Sequence, residues 1–390
     1  MTETTLTDLP VEILYHVFRY CDAKTIICRI GAVCRRLHNV VDQYKQIELK
    51  FELDWEMYWA IKKISRANHP DAVSSLSVLH GKKDIPHWTI DSFISAIRSF
   101  TNIRHLSLCY IEYKQLHQYL KYASTLRLVS LLIKSGDTLN RDTYSYISVV
   151  IEKSNLRKLH LSNFTNEIRY ISWPRGCQLT HLTIKSCNYN QHIAILQQLP
   201  NLHTFQLNTV DLTQDSNPDA RLNSQLACLI LKDCSLSIEQ LKLLLSNTPE
   251  LRDLRLNLRY KSLDSIGQIY NWEIVVRTEL NFLDKFKFFI SYDNSSINGI
   301  DLHSVVLPFQ TPFWLIEKRW FVASEYLFSN SYSRIISFYT MPAIGIRYCA
   351  YNKLTINGVL FTNDKYYGVK HNEGRYIDKI ESNVSNGILQ

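Results

Sequence analysis

Side chains able to ligate a metal, attack an electrophile or relay a proton are plentiful in this chain, but none is arranged for such work. The nine cysteines, Cys21, Cys28, Cys34, Cys109, Cys177, Cys187, Cys228, Cys234 and Cys349, are odd in number and show neither CxxC nor disulfide-scaffold spacing. That usage suits a reducing compartment. The 13 histidines include no HExxH pair and none at zinc-finger spacing from cysteine. No cysteine has a recognisable nucleophile context, and the Ser, His and Asp residues carry no triad motif. Glycine is scarce, 11 residues in 390, against a usual share of about 7%. GxxxxGK and GxGxxG are both missing, so a phosphate-cradling loop has no support. The sequence therefore predicts no cofactor, no metal and no catalysis of its own, and what remains is binding.

Binding chemistry shows in where the basic residues fall. The template L-x-x-L-x-L recurs at Val73-Leu76-Val78, Ile103-Leu106-Leu108, Leu126-Val129-Leu131, Leu156-Leu159-Leu161, Leu179-Leu182-Ile184, Leu202-Phe205-Leu207, Leu226-Leu229-Leu231, Leu251-Leu254-Leu256 and Leu283-Phe286-Phe288, starting 23 to 32 residues apart. In a strand, alternate side chains point to opposite faces, so the third and fifth template positions leave the core. With each strand continued by two residues, the rule selects His105, Lys158, His160, His181, Lys185, Lys232, Arg255, Lys285 and Lys287 as candidate ligand contacts. It also turns Leu128, Ser130, Cys228 and Ile230 outward. Asp253 is the one carboxylate in this set. With a formal charge of +8, such a face favours an acidic or phosphorylated protein segment.

The elements that would carry these residues emerge from the same pattern. Helical segments are expected at 112–123, 191–199 and 237–246, the last opened by Ser237-Ile238-Glu239-Gln240 as a capping box. Strand then helix is one repeat. Because a single unit cannot cover its own apolar face, neighbours must stack. The array resembles a leucine-rich repeat solenoid. That resemblance implies a curved α/β architecture with strands on the concave side and helices on the convex side. It also implies that Cys187 and Cys234, three residues after their last apolar strand position, are structural.

The segment from Leu6 to Leu37 has a different pattern. Pro10 suits the first turn of a helix with apolar residues at Ile13, Leu14, Val17, Phe18 and Cys21. Asp22 is placed to cap a second helix with Ile26, Ile27, Ile30 and Val33, and 35–44 reads as a third. Three helices this short expose more apolar surface than they bury. The order Leu9-Pro10, Glu12-Ile13-Leu14, Val17-Phe18, Tyr20, Asp22, Val33-Cys34-Arg35-Arg36-Leu37 resembles the F-box. By that resemblance, the segment docks on a Skp-type adaptor, which joins it to cullin and RING subunits of an SCF-type ubiquitin ligase. Leu9, Pro10, Ile13, Leu14, Val17, Phe18, Ile26, Val33 and Cys34 would then lie at or near the adaptor contact. Cys21 and Ile26 stand where leucine is commoner, and Leu37 where an aromatic residue often sits. Such apolar swaps usually cost under about 1.5 kcal/mol.

The expected organisation is an F-box at 1–48, a linker or N-terminal cap at 49–72 including Trp55 and Trp59, a leucine-rich repeat solenoid at 73–290 and an aromatic, β-rich cap at 291–390. In the last region Trp314, Ile316, Lys318, Trp320 and Val322 alternate at strand spacing. A hairpin is expected around Asn357-Gly358. The first nine residues are polar, and no later stretch nears the roughly 18 apolar residues of a membrane helix. Neither secretion nor membrane contact is predicted, and a cytoplasmic or nuclear setting is expected. Together the two resemblances imply a non-catalytic substrate receptor of an SCF-type ligase, holding a protein substrate. A non-degradative scaffold is the alternative. Nucleic-acid binding by the basic face ranks below both, because +8 over 390 residues is modest and no recognised motif accompanies it.

Overall fold

The Pro10 carbonyl accepts the first helical N–H, from Leu14 at 3.0 Å, and opens α1 (Val11–Phe18). The structure, a computed structural model, describes residues 5–22, 25–44, 46–53, 71, 73–80, 87–136, 140–162, 164, 166–174, 176–211, 225–260, 272–293, 306–328, 334–340, 353–356 and 359–362. Trp55, Trp59 and the Asn357-Gly358 turn lie outside the described residues. Asp22 accepts from the Thr25 amide and hydroxyl, both at 2.8 Å, but the chain then makes a single π-type turn, Thr25–Ile30, in place of the expected second α-helix. Its β-branched run crowds an α-helical turn, and the Gly31 N–H reaches back five residues to the Ile26 carbonyl at 2.9 Å. The third expected helix forms as α2 (Arg35–Gln43). Leu14, Phe18, Ile26, Leu37, Val40, Val41 and Tyr44 close a small core. The Phe18 ring stands edge-on to Tyr44 at 5.3 Å.

The chain groups into two units, the first running through Leu207 and the second from Gln225. In the first, β1 (Ile47–Leu53), β2 (Val73–His80), β3 (His105–Cys109), β4 (Ser130–Lys134), β5 (Lys158–Ser162) and β6 (His181–Asn188) form a parallel ladder in sequence order. Helices α3 (His87–Ile97), α4 (Tyr113–Ala123), α5 (Arg141–Lys153) and α6 (Tyr189–Gln198) alternate with these strands, and β7 (Thr204–Asp211) comes after α6. Template positions one, four and six are buried in every repeat, provided that residues 126–133 are read as Leu128-Leu131-Ile133. At roughly 1.5–3 kcal/mol per buried aliphatic side chain, three such residues contribute roughly 5–9 kcal/mol to each repeat before chain entropy is counted.

A regular backbone feature joins the repeats. The Arg104 carbonyl accepts from the N–H groups of both Val129 and Ser130, Val129 from Arg157 and Lys158, Arg157 from Thr180 and His181, and Thr180 from His203 and Thr204. This rail corrects the register of one repeat. Residues 126–133 satisfy the template twice, at Leu126-Val129-Leu131 and at Leu128-Leu131-Ile133. The structure uses the second, with Ser130 opposite His105 and Leu131 opposite Leu106. Leu128 is therefore core rather than outward, and Leu132 and Lys134 join Ser130 on the outer face. A shift of two residues preserves strand parity, so alternation alone could not separate the readings. Helix α5 has no counterpart in the sequence reading. Its Tyr, Ile and Val content favours strand, yet Asn140 caps it by accepting from the Thr143 N–H at 3.1 Å.

In the second unit, β8 (Cys228–Cys234), β9 (Asp253–Tyr260) and β10 (Lys285–Asp293) continue the parallel pattern with α7 (Ile238–Leu245) and α8 (Trp272–Glu279). The Ala227 and Arg252 carbonyls each accept two N–H groups as in the first unit. The expected capping box is present: the Ser237 N–H donates to Gln240 Oε1 at 2.9 Å and the Gln240 N–H to Ser237 Oγ at 3.2 Å. The pairing then turns antiparallel, in the order β10, β12 (Arg334–Thr340), β11 (Val322–Phe328), β13 (Lys353–Ile356), β14 (Val359–Thr362). The expected hairpin pairing is thus present, with Ile356 opposite Val359. The expected strand through Trp314 is not. Phe313–Glu317 is a π-type turn in which Trp314 is buried and Ile316 is exposed. Tight packing of aromatic rings decides this, with Trp314 5.8 Å from Trp320 and 4.9 Å from Phe309.

His192 on α6 is fully buried with neither ring nitrogen hydrogen-bonded, and it stacks on Phe205 at 5.4 Å. Burial pushes its pKa down to about 4. The folded state holds it neutral, whereas the unfolded chain takes up a proton below about pH 6.5. Stability from this residue is therefore complete above that pH and is lost as pH falls towards 4. Between pH 7 and 5, His192→Leu should lose about 2 kcal/mol less stability than the unaltered chain. Urea unfolding at both pH values measures the difference, and parallel losses would show that His192 is not the titrating group.

Candidate functional site

Two surfaces carry the residues that the sequence singles out. At the N-terminus, Pro10, Ile13 and Val33 are exposed, Val33 at 65%, and Leu9, Val17 and Cys34 are half-buried. Leu14, Phe18 and Ile26, expected at or near the contact, are buried in the chain's own core. Two exposed apolar residues were missing from the expected set: Tyr20, at 91%, and Leu6.

The pose of the Leu9-Pro10 corner is fixed by Arg36, in the first turn of α2. Its guanidinium donates through Nη1 to the Thr7 carbonyl and through Nη2 to the Leu9 carbonyl, the latter at 2.9 Å. On the same loop, the Thr5 N–H donates to Asp8 Oδ2 at 3.0 Å and the Thr5 hydroxyl donates to it at 2.7 Å. These bonds, with a smaller contribution from Arg36, hold the Asp8 carboxyl below its ordinary pKa. Arg36 lies 29 and 27 residues from these two acceptors, so no local spacing in the sequence marks the clamp.

On the outer strand face of the first unit, Lys158 pairs across the ladder with His181, and His160 lies between Leu132 and Thr183. His160 Nε2 bonds the Ser162 hydroxyl, and His181 Nδ1 bonds the Thr180 hydroxyl at 2.8 Å. Burial first, then the nearby Lys158 and His203, depress the His181 pKa. His105 is exposed opposite Ser130, and Lys185 is half-buried on β6. From β2 to β6, the described outward positions include no carboxylate. The three expected histidines are staggered rather than adjacent, and among the described residues no three His, Cys, Asp or Glu side chains could hold a metal ion.

Lys232, Arg255, Lys285 and Lys287 lie in the second unit. There Arg255 is already engaged by Asp253 through three bonds of 2.6–3.2 Å, and Lys285 sits opposite that same aspartate. Cys228, expected to face outward, is buried. Cys187 and Cys234 are buried as expected, and burial pushes the Cys234 thiol up to about 12. No described helix is long and apolar enough to cross a membrane.

Residues 6–47 match the family model described as F-box-like. Among solved structures, the chain is similar to an internalin (InlF) from Listeria monocytogenes, with 14% identity and a TM-score of 0.32 over 68% of this chain and 91% of that one. It is also similar to the Rad7 and Elc1 complex in yeast, with 14% identity and a TM-score of 0.28 over 64% and 84%. No curated protein matches it.

Arg36→Ala leaves the Thr7 and Leu9 carbonyls without their charged donor, a loss of about 1–2 kcal/mol of local stability. Hydrogen exchange at the Asp8 amide, bonded to Thr5 at 3.0 Å, should accelerate by about tenfold while the α1 amides stay protected. Unchanged exchange at Asp8 would mean that the clamp does not order the loop.

Proposed function

We propose that the chain is the substrate-holding subunit of an SCF-type ubiquitin ligase. In this reading the N-terminal element docks on a Skp-type adaptor that links it to cullin and RING subunits, and the strand–helix repeats hold a protein substrate. The observation that carries it is the surface of the segment matched by the F-box-like model. With its own core filled, it still presents Pro10, Ile13, Tyr20 and Val33 to solvent beside a loop clamped by Arg36. Exposed apolar groups on a rigid frame suit a protein contact, because little ordering entropy opposes association. Leu9, Val17 and Cys34 edge that surface, and Leu14, Phe18 and Ile26 support it from within.

The role is positional. Holding a substrate near a ubiquitin-loaded enzyme raises its effective concentration, and that needs no nucleophile in the holding subunit. The substrate contact is assigned to the outer strand face of the first unit, at His105, Lys158, His160, His181 and Lys185. Basic character there without an outward carboxylate favours an acidic or phosphorylated segment. In the second unit, Lys232, Lys285, Lys287 and the Asp253-engaged Arg255 are assigned separately as a contact of the same kind.

Co-expression with a Skp-type adaptor tests the docking half. The intact chain should co-purify with the adaptor. A Leu9→Ala, Pro10→Ala double variant and, separately, Val33→Glu should each weaken it more than about tenfold. Val33 is exposed, so Val33→Glu should shift folding stability by no more than about 0.5 kcal/mol. Failure of the intact chain to bind would reject the reading. Retention without ubiquitin chains on any bound partner in a reconstituted ligase would turn it into a scaffold.

A further inference from the structure

In the second unit several basic side chains pair with carboxylates: Arg252 with Asp284, Arg259 with Asp233, Lys242 with Glu279, and Arg277 with Glu273 and Glu317. At the ends of β3, β4 and β5 in the first unit the arrangement differs. Tyr110 comes directly after β3 with φ of 57°, a left-handed conformation that a bulky residue adopts only when its surroundings enforce it. Its N–H donates to the Lys134 carbonyl at 2.5 Å, and the Lys134 ammonium lies 4.7 Å from its ring centre. Along the same edge Lys114 lies 5.9 Å from the Tyr113 ring. Arg141 and Arg169 approach the Tyr170 ring at 4.8 and 5.0 Å. His117 links these places, bonding Asn140 and Thr143 at the start of α5 and packing on Tyr146 at 5.0 Å. Among the described residues, none of these four cations forms an ion pair with a carboxylate, Glu112 and Asp142 included.

We infer that this edge is a docking surface for an acidic segment of a partner protein. Tyrosine and arginine are enriched at energetic centres of protein interfaces, and here Tyr110 and Tyr113 are exposed while Tyr170 lies half-buried beside Arg141 and Arg169. Cations held over aromatic rings are partly ordered before binding, and no described carboxylate pairs with them, so an incoming carboxylate meets preplaced donors. The inference rests on reading the repeats as the substrate-holding part, and it places first contact at the strand ends rather than on the strand face.

Fluorescence anisotropy with the full chain tests it, using a labelled glutamate-rich peptide, its glutamine counterpart and oligothymidine. The glutamate peptide should bind, with the glutamine peptide and oligothymidine at least about tenfold weaker. Arg141→Gln with Arg169→Gln should lower affinity for the glutamate peptide by about tenfold. Lys242→Ala, at a cation already paired with Glu279, is the control and should change it by less than about twofold. Lys114→Glu, at an exposed position, provides a second edge variant whose folding can be checked by circular dichroism. Undiminished peptide binding by both edge variants, or equal binding of oligothymidine, would overturn the inference. Loss confined to a Lys158→Ala, Lys185→Ala variant of the strand face would also overturn it and leave the substrate-holding reading standing. Adaptor co-purification fails or succeeds independently of all these arms.

Discussion

One carbonyl oxygen accepting two N–H groups from the next repeat is the constraint on which the strand faces depend. Arg104, Val129, Arg157 and Thr180 supply it in the first unit, and Ala227 and Arg252 in the second. A carbonyl has two lone pairs, so each can serve both donors without leaving a polar group unsatisfied at the start of a strand. The bond fixes where each strand begins relative to its neighbour, and strand parity then fixes the direction of every later side chain. Lys158 faces His181, and Lys134 sits at the strand edge beside Tyr110, because this junction repeats without slippage.

That same junction explains what could be read in advance. The apolar template, the parallel strand order and the capping box at Ser237 arise from side-chain types, and all are present. The rail is made by backbone atoms and accepts Arg, Val, Thr or Ala alike, so no residue type marks it. This is why residues 126–133 could be read in two phases. The π-type turns at Thr25–Ile30 and Phe313–Glu317 were missed for a related reason, since their apolar spacing fits longer elements and only packing selects the shorter form. Most of the candidate surface was legible as residue choice, whereas the Arg36 clamp and the tyrosine–cation edge join residues distant in sequence.

The N-terminal element and the repeats solve opposite problems. In the repeats, most apolar residues are consumed by stacking, with Leu79, Ile274 and Phe282 among the exceptions, and the strand face that reaches solvent is largely polar, basic and hydroxyl-bearing. In the N-terminal element a core of seven residues is enough to hold the shape, and apolar groups are left over. One surface is therefore suited to a lasting apolar contact and the other to a charged partner that exchanges. On the proposed reading, a subunit that stays in an assembly while its cargo turns over needs both kinds of contact.

The buried cysteines have a consequence of their own. Cys177 and Cys187 lie in the first unit, Cys228 and Cys234 in the second, and burial raises the Cys177 and Cys234 thiols away from the reactive thiolate form. An electrophile added under native conditions meets such sulfur atoms only during an opening excursion. Each unit thus contains its own internal clock, and the rates at which its two thiols become alkylated report how often that unit breathes. Because the alkylated peptides differ in mass, both clocks can be read in one sample, with no probe attached to either surface.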